Sequence, residues 1–230
     1  MAKYTYLLIN FLSVLFPFIL SFDKRVAFHK SWKFVWPGIL ITGALFLFWD
    51  VIFTIDNVWS FNPKYIVGIS ILGLPLEEVL FFLTVPFACT FIYACLNHYL
   101  KRQIDIRLTR IISNIIIIFS IVILTFYHHR IYTRVSFTLI AFLVILFQFI
   151  LKVRWLNRFY VAFLVSLLPF YIINGILTSL PVVIYNNAQN MRFRVGAIPF
   201  EDHFYLMALL LMNIGLFEYF KTRQNNVYHA

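Results

Sequence analysis

The sequence predicts an all-α membrane protein in which seven transmembrane helices form two parallel three-helix repeats, helices 1–3 and 5–7, joined by a linker helix 4. Three observations carry this expectation. Of the 230 residues, 62% are hydrophobic and 12% charged, against roughly 45–50% and 25% in soluble domains. Apolar runs close to the ~20 residues that cross a bilayer recur along the whole chain. The chain also resembles itself when shifted by 124 residues.

Hydropathy places the helices at 4–22, 35–55, 76–98, 108–127, 134–151, 158–179 and 202–220. The first lacks the small-residue cleavage site of a signal peptide and ends in Asp23, Lys24 and Arg25, so it reads as a retained helix. Six Lys and Arg residues (Lys3, Lys64, Arg130, Arg134, Arg192, Arg194) lie at the N-terminus and in loops 2–3, 4–5 and 6–7. The other thirteen of nineteen, including Lys24, Arg25, Lys30 and Lys33, lie on the opposite side. That bias predicts an inner-membrane protein with its N-terminus outside and its C-terminus cytoplasmic. The net charge of +10 is accounted for in this way and forms no basic stripe, which excludes nucleic acid as a partner. Cys89 and Cys95, six apart on one helix, point to different faces and read as packing residues. No CxxC, HExxH or nucleotide-binding loop is present, so neither a metal nor a cofactor is expected.

The repeat rests on polar and proline matches, which apolar composition does not generate. Shifted by 124, Trp49–Asn62 falls on Ile173–Asn186, pairing Asp50 with Asn174, Thr54 with Thr178, Val58 with Val182, Phe61 with Tyr185 and Asn62 with Asn186. The same shift lays Leu74–Phe82 on Ile198–Leu206, matching Pro75 to Pro199, Glu77 to Glu201 and Glu78 to Asp202. The chain therefore divides into a first repeat (1–100), a linker helix (101–127) and a second repeat (128–230). With the linker returning the chain to its starting side, the halves run parallel about an axis along the membrane normal. Both acidic motifs then start the third helix of their half at one depth.

Proline followed by two acids is also an ordinary helix start. Here, however, the flanking sequences are ISILGL and VGAI before the motifs, VLFF and HFYL after them. A charge at mid-bilayer costs ~2.5–3.5 kcal/mol, and burial favours the neutral, proton-bearing form of a carboxyl. Adjacent helical residues point about 100° apart, so the two acids of a motif have different roles. Glu77 and Glu201 are expected to face the bundle interior, with Glu78 and Asp202 capping, orienting or tuning them. Asp50 is a further candidate catalytic acid. Its counterpart Asn174 keeps the hydrogen bonding but cannot release a proton, so the halves are not chemically equivalent. Asn62 and Asn186 are placed beside the motifs, to satisfy backbone groups or to contact a substrate. Aromatic residues make up 20% of the chain. Trp49, Phe53, Phe81, Phe82, Phe204 and Tyr205 are candidates for a lining that stabilises a cation through its ring faces. His203, next to the second motif, is a candidate relay member. Taken alone, these residues suit either an acid–base enzyme acting on an apolar substrate or a proton-coupled membrane transporter built on parallel repeats.

Several stretches carry a resemblance: Phe16–Arg25 (FPFILSFDKR), Phe48–Asp50 (FWD), Trp59–Pro63 (WSFNP), Gly73–Phe82 (GLPLEEVLFF), Tyr185–Asn186, and Ile198–Asp202 (IPFED). They resemble the small integral-membrane lycopene cyclases, whose two homologous three-helix halves occur as separate subunits or as one fused chain. The resemblance spans essentially the whole chain. It implies a lycopene β-cyclase, a cofactor-independent isomerase in carotenoid biosynthesis that closes the ψ-ends of lycopene into β-ionone rings, giving γ-carotene and β-carotene. Its partners would be lycopene and the lipid bilayer. Assembly as a homo-oligomer or with other carotenoid-pathway enzymes is left open. Glu77 and Glu201 match the first acid of the family motif, Glu78 and Asp202 the second. The second half departs from the first, with Asn187 in place of Pro63 and Val183 in place of Trp59, which leaves open which half supplies the acid. A retinal protein is disfavoured because residues 203–220 contain no lysine.

Overall fold

The computed structural model describes residues 2–100 and 105–227. Lys101 and Arg102, and the boundary drawn between 100 and 101, fall at or beyond its edge. The helices are α1 Thr5–Leu20, α2 Trp32–Ile55, α3 Leu76–Tyr99, α4 Ile106–Tyr127, α5 Ile131–Ile145 (closed by a π turn, Leu146–Ile150), α6 Leu156–Ser179 and α7 Phe200–Val227. All seven are long and apolar enough to cross a membrane. Hydropathy located six of them to within a few residues and cut the last one short. The apolar run of α7 ends near the membrane surface, while its backbone continues as helix past Lys221 and Arg223, residue types with high helix propensity.

Polar residues are buried among an apolar core while the outer surface of the helices is also apolar, unlike a soluble bundle. Ile115 and Ile118 of α4 and Leu164 and Leu168 of α6 are exposed, whereas Thr42, Asp50, Glu77, Glu201 and Asn213 are buried. In a bilayer, polar groups find partners only within the protein. In the first half α1 and α2 pack on α3, and in the second half α5 and α6 pack on α7. Between halves α2 packs on α7 and α6 on α3, the reciprocal contacts a two-fold along the membrane normal requires, and α3 meets α7. The linker α4 lies outside this arrangement, mainly against α5.

The connecting loops are more ordered than hydropathy indicates. After α2 come β1 (Trp59–Phe61) and the hairpin of β2 (Ser70–Ile71) and β3 (Leu74–Pro75). The second half repeats them as β4 (Val183–Tyr185), β5 (Arg194–Val195) and β6 (Ile198–Pro199). Strands β1 and β4 pair antiparallel across the two halves, Trp59 opposite Tyr185, Ser60 opposite Ile184 and Phe61 opposite Val183. The repeat maps Trp59 onto Val183 and Phe61 onto Tyr185, so this register is that of a two-fold passing between Ser60 and Ile184. Flanking main-chain bonds obey the same axis: Asn62 N–H to the Val182 carbonyl and Asn186 N–H to the Val58 carbonyl, both 2.9 Å. In the β2–β3 turn, Leu72 and Gly73 both have positive φ (52° and 85°), the backbone that a two-residue hairpin loop demands. Pro75 and Pro199 end their strands, opposite Ser70 and Arg194, so they precede α3 and α7 instead of opening them as first helical residues.

Candidate active site

The hairpins β2–β3 and β5–β6 set the rotation of the first turns of α3 and α7, and thereby decide which acid of each motif points inward. Glu77 folds back onto its own loop, where its Oε1 accepts from the Val67 N–H at 2.6 Å. Glu201 does the same with the Met191 N–H at 2.7 Å and also accepts from Thr133 Oγ1 at 2.6 Å. Met191 is the repeat counterpart of Val67, so this is one structural device used twice. Both glutamates are fully buried, yet neither lines the chamber between the halves. The expectation that Glu77 and Glu201 face the interior while their neighbours cap them is therefore reversed. The neighbours, a helical step round, are the ones that face in.

Glu78 and Asp202 line a single chamber of about 60 Å³ between the two halves. Its walls include Tyr6, Trp59, Phe61, Phe81, Phe82, Tyr132, Phe170, Asn174, Tyr185 and Tyr205, with no Lys or Arg among the lining residues. Aromatic rings close one side, with Trp59 lying 5.2 Å from Tyr132, 5.9 Å from Tyr185 and 6.2 Å from Tyr205, centroid to centroid. The Tyr205 hydroxyl is buried without a hydrogen-bond partner.

The two acids keep different company. Glu78 Oε2 accepts from the Tyr6 hydroxyl at 2.5 Å, and the Asp50 carboxyl is its neighbour. Asp50 Oδ1 accepts from the Trp59 indole N–H at 2.7 Å, while its Oδ2 meets no donor. Asp202 is surrounded by donors: Tyr132 OH to Oδ1 at 2.6 Å, Tyr185 OH to Oδ2 at 2.8 Å and Asn174 Nδ2 to Oδ2 at 3.4 Å. Burial and the adjacent Asp202 carboxyl hold the Tyr185 hydroxyl well above its ordinary pKa, so it stays a donor. The Arg194 guanidinium lies over the Tyr185 ring, 5.8 Å from its centroid, and the counterpart of Arg194 in the first half is Ser70.

Phe81, Phe82, Asn174 and Tyr205 line the chamber. Trp49 and Phe53 do not. Phe53 stands behind Trp59, ring to ring at 4.9 Å, with Trp49 behind it in turn, so the pair buttresses the wall. Phe204 faces the other way, against Phe137 and Phe119, because it is one helical step beyond the inward face of α7. Asn62 and Asn186 lie outside the chamber and cap turns, accepting from the Lys64 N–H (3.1 Å) and the Ala188 N–H (2.9 Å). His203 bonds the Tyr171 hydroxyl at 3.0 Å and is not in the chamber wall. The residues that sequence reasoning missed are mainly Tyr6, Tyr132, Tyr185, Trp59, Phe61 and Phe170. Tyr6 and Tyr132 play matching roles but lie 126 residues apart, so a search at one ungapped offset passes over them.

The family model for lycopene cyclase matches residues 3–96 and again residues 129–220. No curated protein and no solved structure matches the chain. The two matched segments cover the two three-helix halves and leave α4 between them, displaced by about the interval of the internal repeat. With one acid from each half in a shared chamber inside a seven-helix membrane bundle, this chain belongs to the lycopene cyclase family.

Proposed function

We propose that the protein is a lycopene β-cyclase, a cofactor-independent isomerase that closes the ψ-ends of lycopene into β-ionone rings, yielding γ-carotene and β-carotene. The observation that carries this reading is the contrast between the two acids of the chamber. Two neighbouring carboxyl groups buried together do not both ionise, so the pair keeps a proton. Asp50 and Glu78 are such a pair, and Asp50 Oδ2 meets no donor. Asp202 accepts from Tyr132, Tyr185 and Asn174, and hydrogen bonds of this kind favour the carboxylate. The first is a proton donor and the second a proton acceptor, suited to general acid–base catalysis.

The reaction follows. The Asp50–Glu78 pair protonates C2 of the terminal double bond, leaving a cation at C1. The C5=C6 alkene attacks C1, which closes the ring and moves the cation to C5. Asp202 removes the proton from C6, and the C5=C6 double bond of the β-ring forms. One proton enters the substrate and one leaves, and its return from Asp202 to the acid pair resets the site. The rings of Trp59, Tyr132, Tyr185 and Tyr205 stabilise the cation through their faces, and the apolar walls exclude the water that would trap it. A transporter would be expected to break its helices at the acids, whereas α2, α3, α6 and α7 run unbroken.

The chamber lies at the membrane side of the N-terminus, which the charge bias assigns to the outside of the cytoplasmic membrane. Lycopene reaches it from the bilayer. Expression in a lycopene-accumulating bacterium, followed by pigment chromatography, is expected to yield monocyclic or bicyclic product. Unchanged lycopene, with the protein present in the membrane, overturns the assignment.

A further inference from the structure

We infer that the apolar groove between α1, α3 and α6 holds the polyene, and that it admits substrate from one side only, so the monocyclic product must leave and turn round before its second end can react. This rests on the cyclase reading above. The groove has a volume of about 430 Å³ and is lined by side chains such as Phe16, Ala88, Ile92 and Ile173. It meets the acid chamber at Phe81, Phe170, Asn174 and Leu206, which line both. The chamber alone, at about 60 Å³, is smaller than a ring-sized end group, which has to fill the chamber together with the mouth of the groove. From there the groove follows α3 to Ile92, which at 1.5 Å per residue lies about 20 Å beyond Glu78.

The two-fold generates a second such position between α5, α7 and α2, and side chains fill it. Phe46, the counterpart of Phe170, packs edge-on against Tyr205, the counterpart of Phe81, at 5.0 Å. Met212 stands where Ala88 stands, and Leu143, Val144 and Leu209 are buried there. On the open side the Phe170 ring lies against His203 at 5.1 Å instead. His203 is anchored by Tyr171, and its counterpart is Val79, so the first half has no ring to draw Phe46 aside. A conjugated polyene is a stiff rod. With one end at Glu78 and Asp202, its other end points out along the groove and cannot reach the same acids.

The test fills the groove at Ala88, about 15 Å along α3 from Glu78. In membranes with equal protein levels, Ala88→Phe is expected to lower lycopene conversion at least tenfold. A truncated polyene with one ψ-end, short enough to stop before Ala88, should still be cyclised. Leu164→Phe, on the exposed face of α6, should match wild type on both substrates. Wild-type conversion of lycopene by Ala88→Phe overturns the inference and leaves the groove with an ordinary acyl chain as occupant. Equal loss of both substrates overturns it too. Failure of the wild-type protein on both substrates counts against the cyclase reading instead. For the turn-round, excess unlabelled monocyclic carotenoid added with labelled lycopene should dilute the label in bicyclic product. Undiluted label there means both ends react without release, and this part falls.

Discussion

In the first half, Glu78 meets another carboxyl, Asp50, itself held by the Trp59 indole. In the second half, at the same backbone position, Asp202 meets an amide and two phenols. Few exchanges separate these settings: Asp50 for Asn174, Trp59 for Val183, Phe61 for Tyr185, Ser70 for Arg194. Helices, hairpins and the looped-back glutamates are otherwise shared. Under the proposed mechanism, a symmetric scaffold has been given an acid on one side of its axis and a base on the other by side-chain substitution alone. A cyclisation that begins with protonation and ends with deprotonation needs that polarity.

The sharpest way to break this comparison is to neutralise each acid in turn. Glu78→Gln and Asp202→Asn should each lower lycopene conversion by about 10²–10⁴-fold, the range of a general acid or base, measured by pigment chromatography at matched protein levels. Near-normal turnover by either removes it from the reaction. Next, Asp50→Asn makes the halves alike at this position and removes the shared proton, and should cost about 10²-fold. Adding Asn174→Asp should not restore activity, because the groove still presents the substrate from the original side. Recovery in that double variant would show that the acid pair alone decides which half protonates.

Smaller effects should follow from the phenols. Tyr132→Phe strips Asp202 Oδ1 of its donor, and a hydrogen bond to a charged group is worth about 1.5–3 kcal/mol, so a rate loss of about tenfold or more is expected. Tyr6→Phe should cost less, since Glu78 keeps Asp50. Equal losses would argue that both acids are in the same state. Least affected should be Glu77→Gln and Glu201→Gln, because glutamine retains the oxygen that receives the Val67 or Met191 N–H. Rates within about threefold of wild type and a stability loss of about 1 kcal/mol, read by thermal unfolding in detergent, are the expected outcome.

Much of this molecule was legible in its sequence. Helix positions follow from runs of apolar residues long enough to cross a bilayer, and the duplication follows from polar and proline matches. Which glutamate faces inward was not legible. A helical wheel gives the angle between Glu77 and Glu78 but not the rotation of the helix, which is set by the β2–β3 hairpin and by the Val67 N–H that captures Glu77. The phenols were hidden for a different reason. Tyr6 and Tyr132 sit in helices whose spacing to the rest of their repeat differs by two residues, so nothing at the 124-residue offset marks them. Trp49, Phe53 and Phe204 show the converse: an aromatic ring near an acid in sequence can support the wall from behind or face the linker helix.

The pairing of β1 with β4 has a consequence for the origin of the chain. A strand that pairs with its own duplicate across a two-fold axis can pair with an identical copy across that same axis. A half-length ancestor would need no new surface to assemble as a homodimer, and its strands would pair by main-chain bonds that tolerate side-chain drift. Fusion through α4 would then free each copy to diverge independently, and a reaction that requires unlike partners would become available to a fold built from like ones.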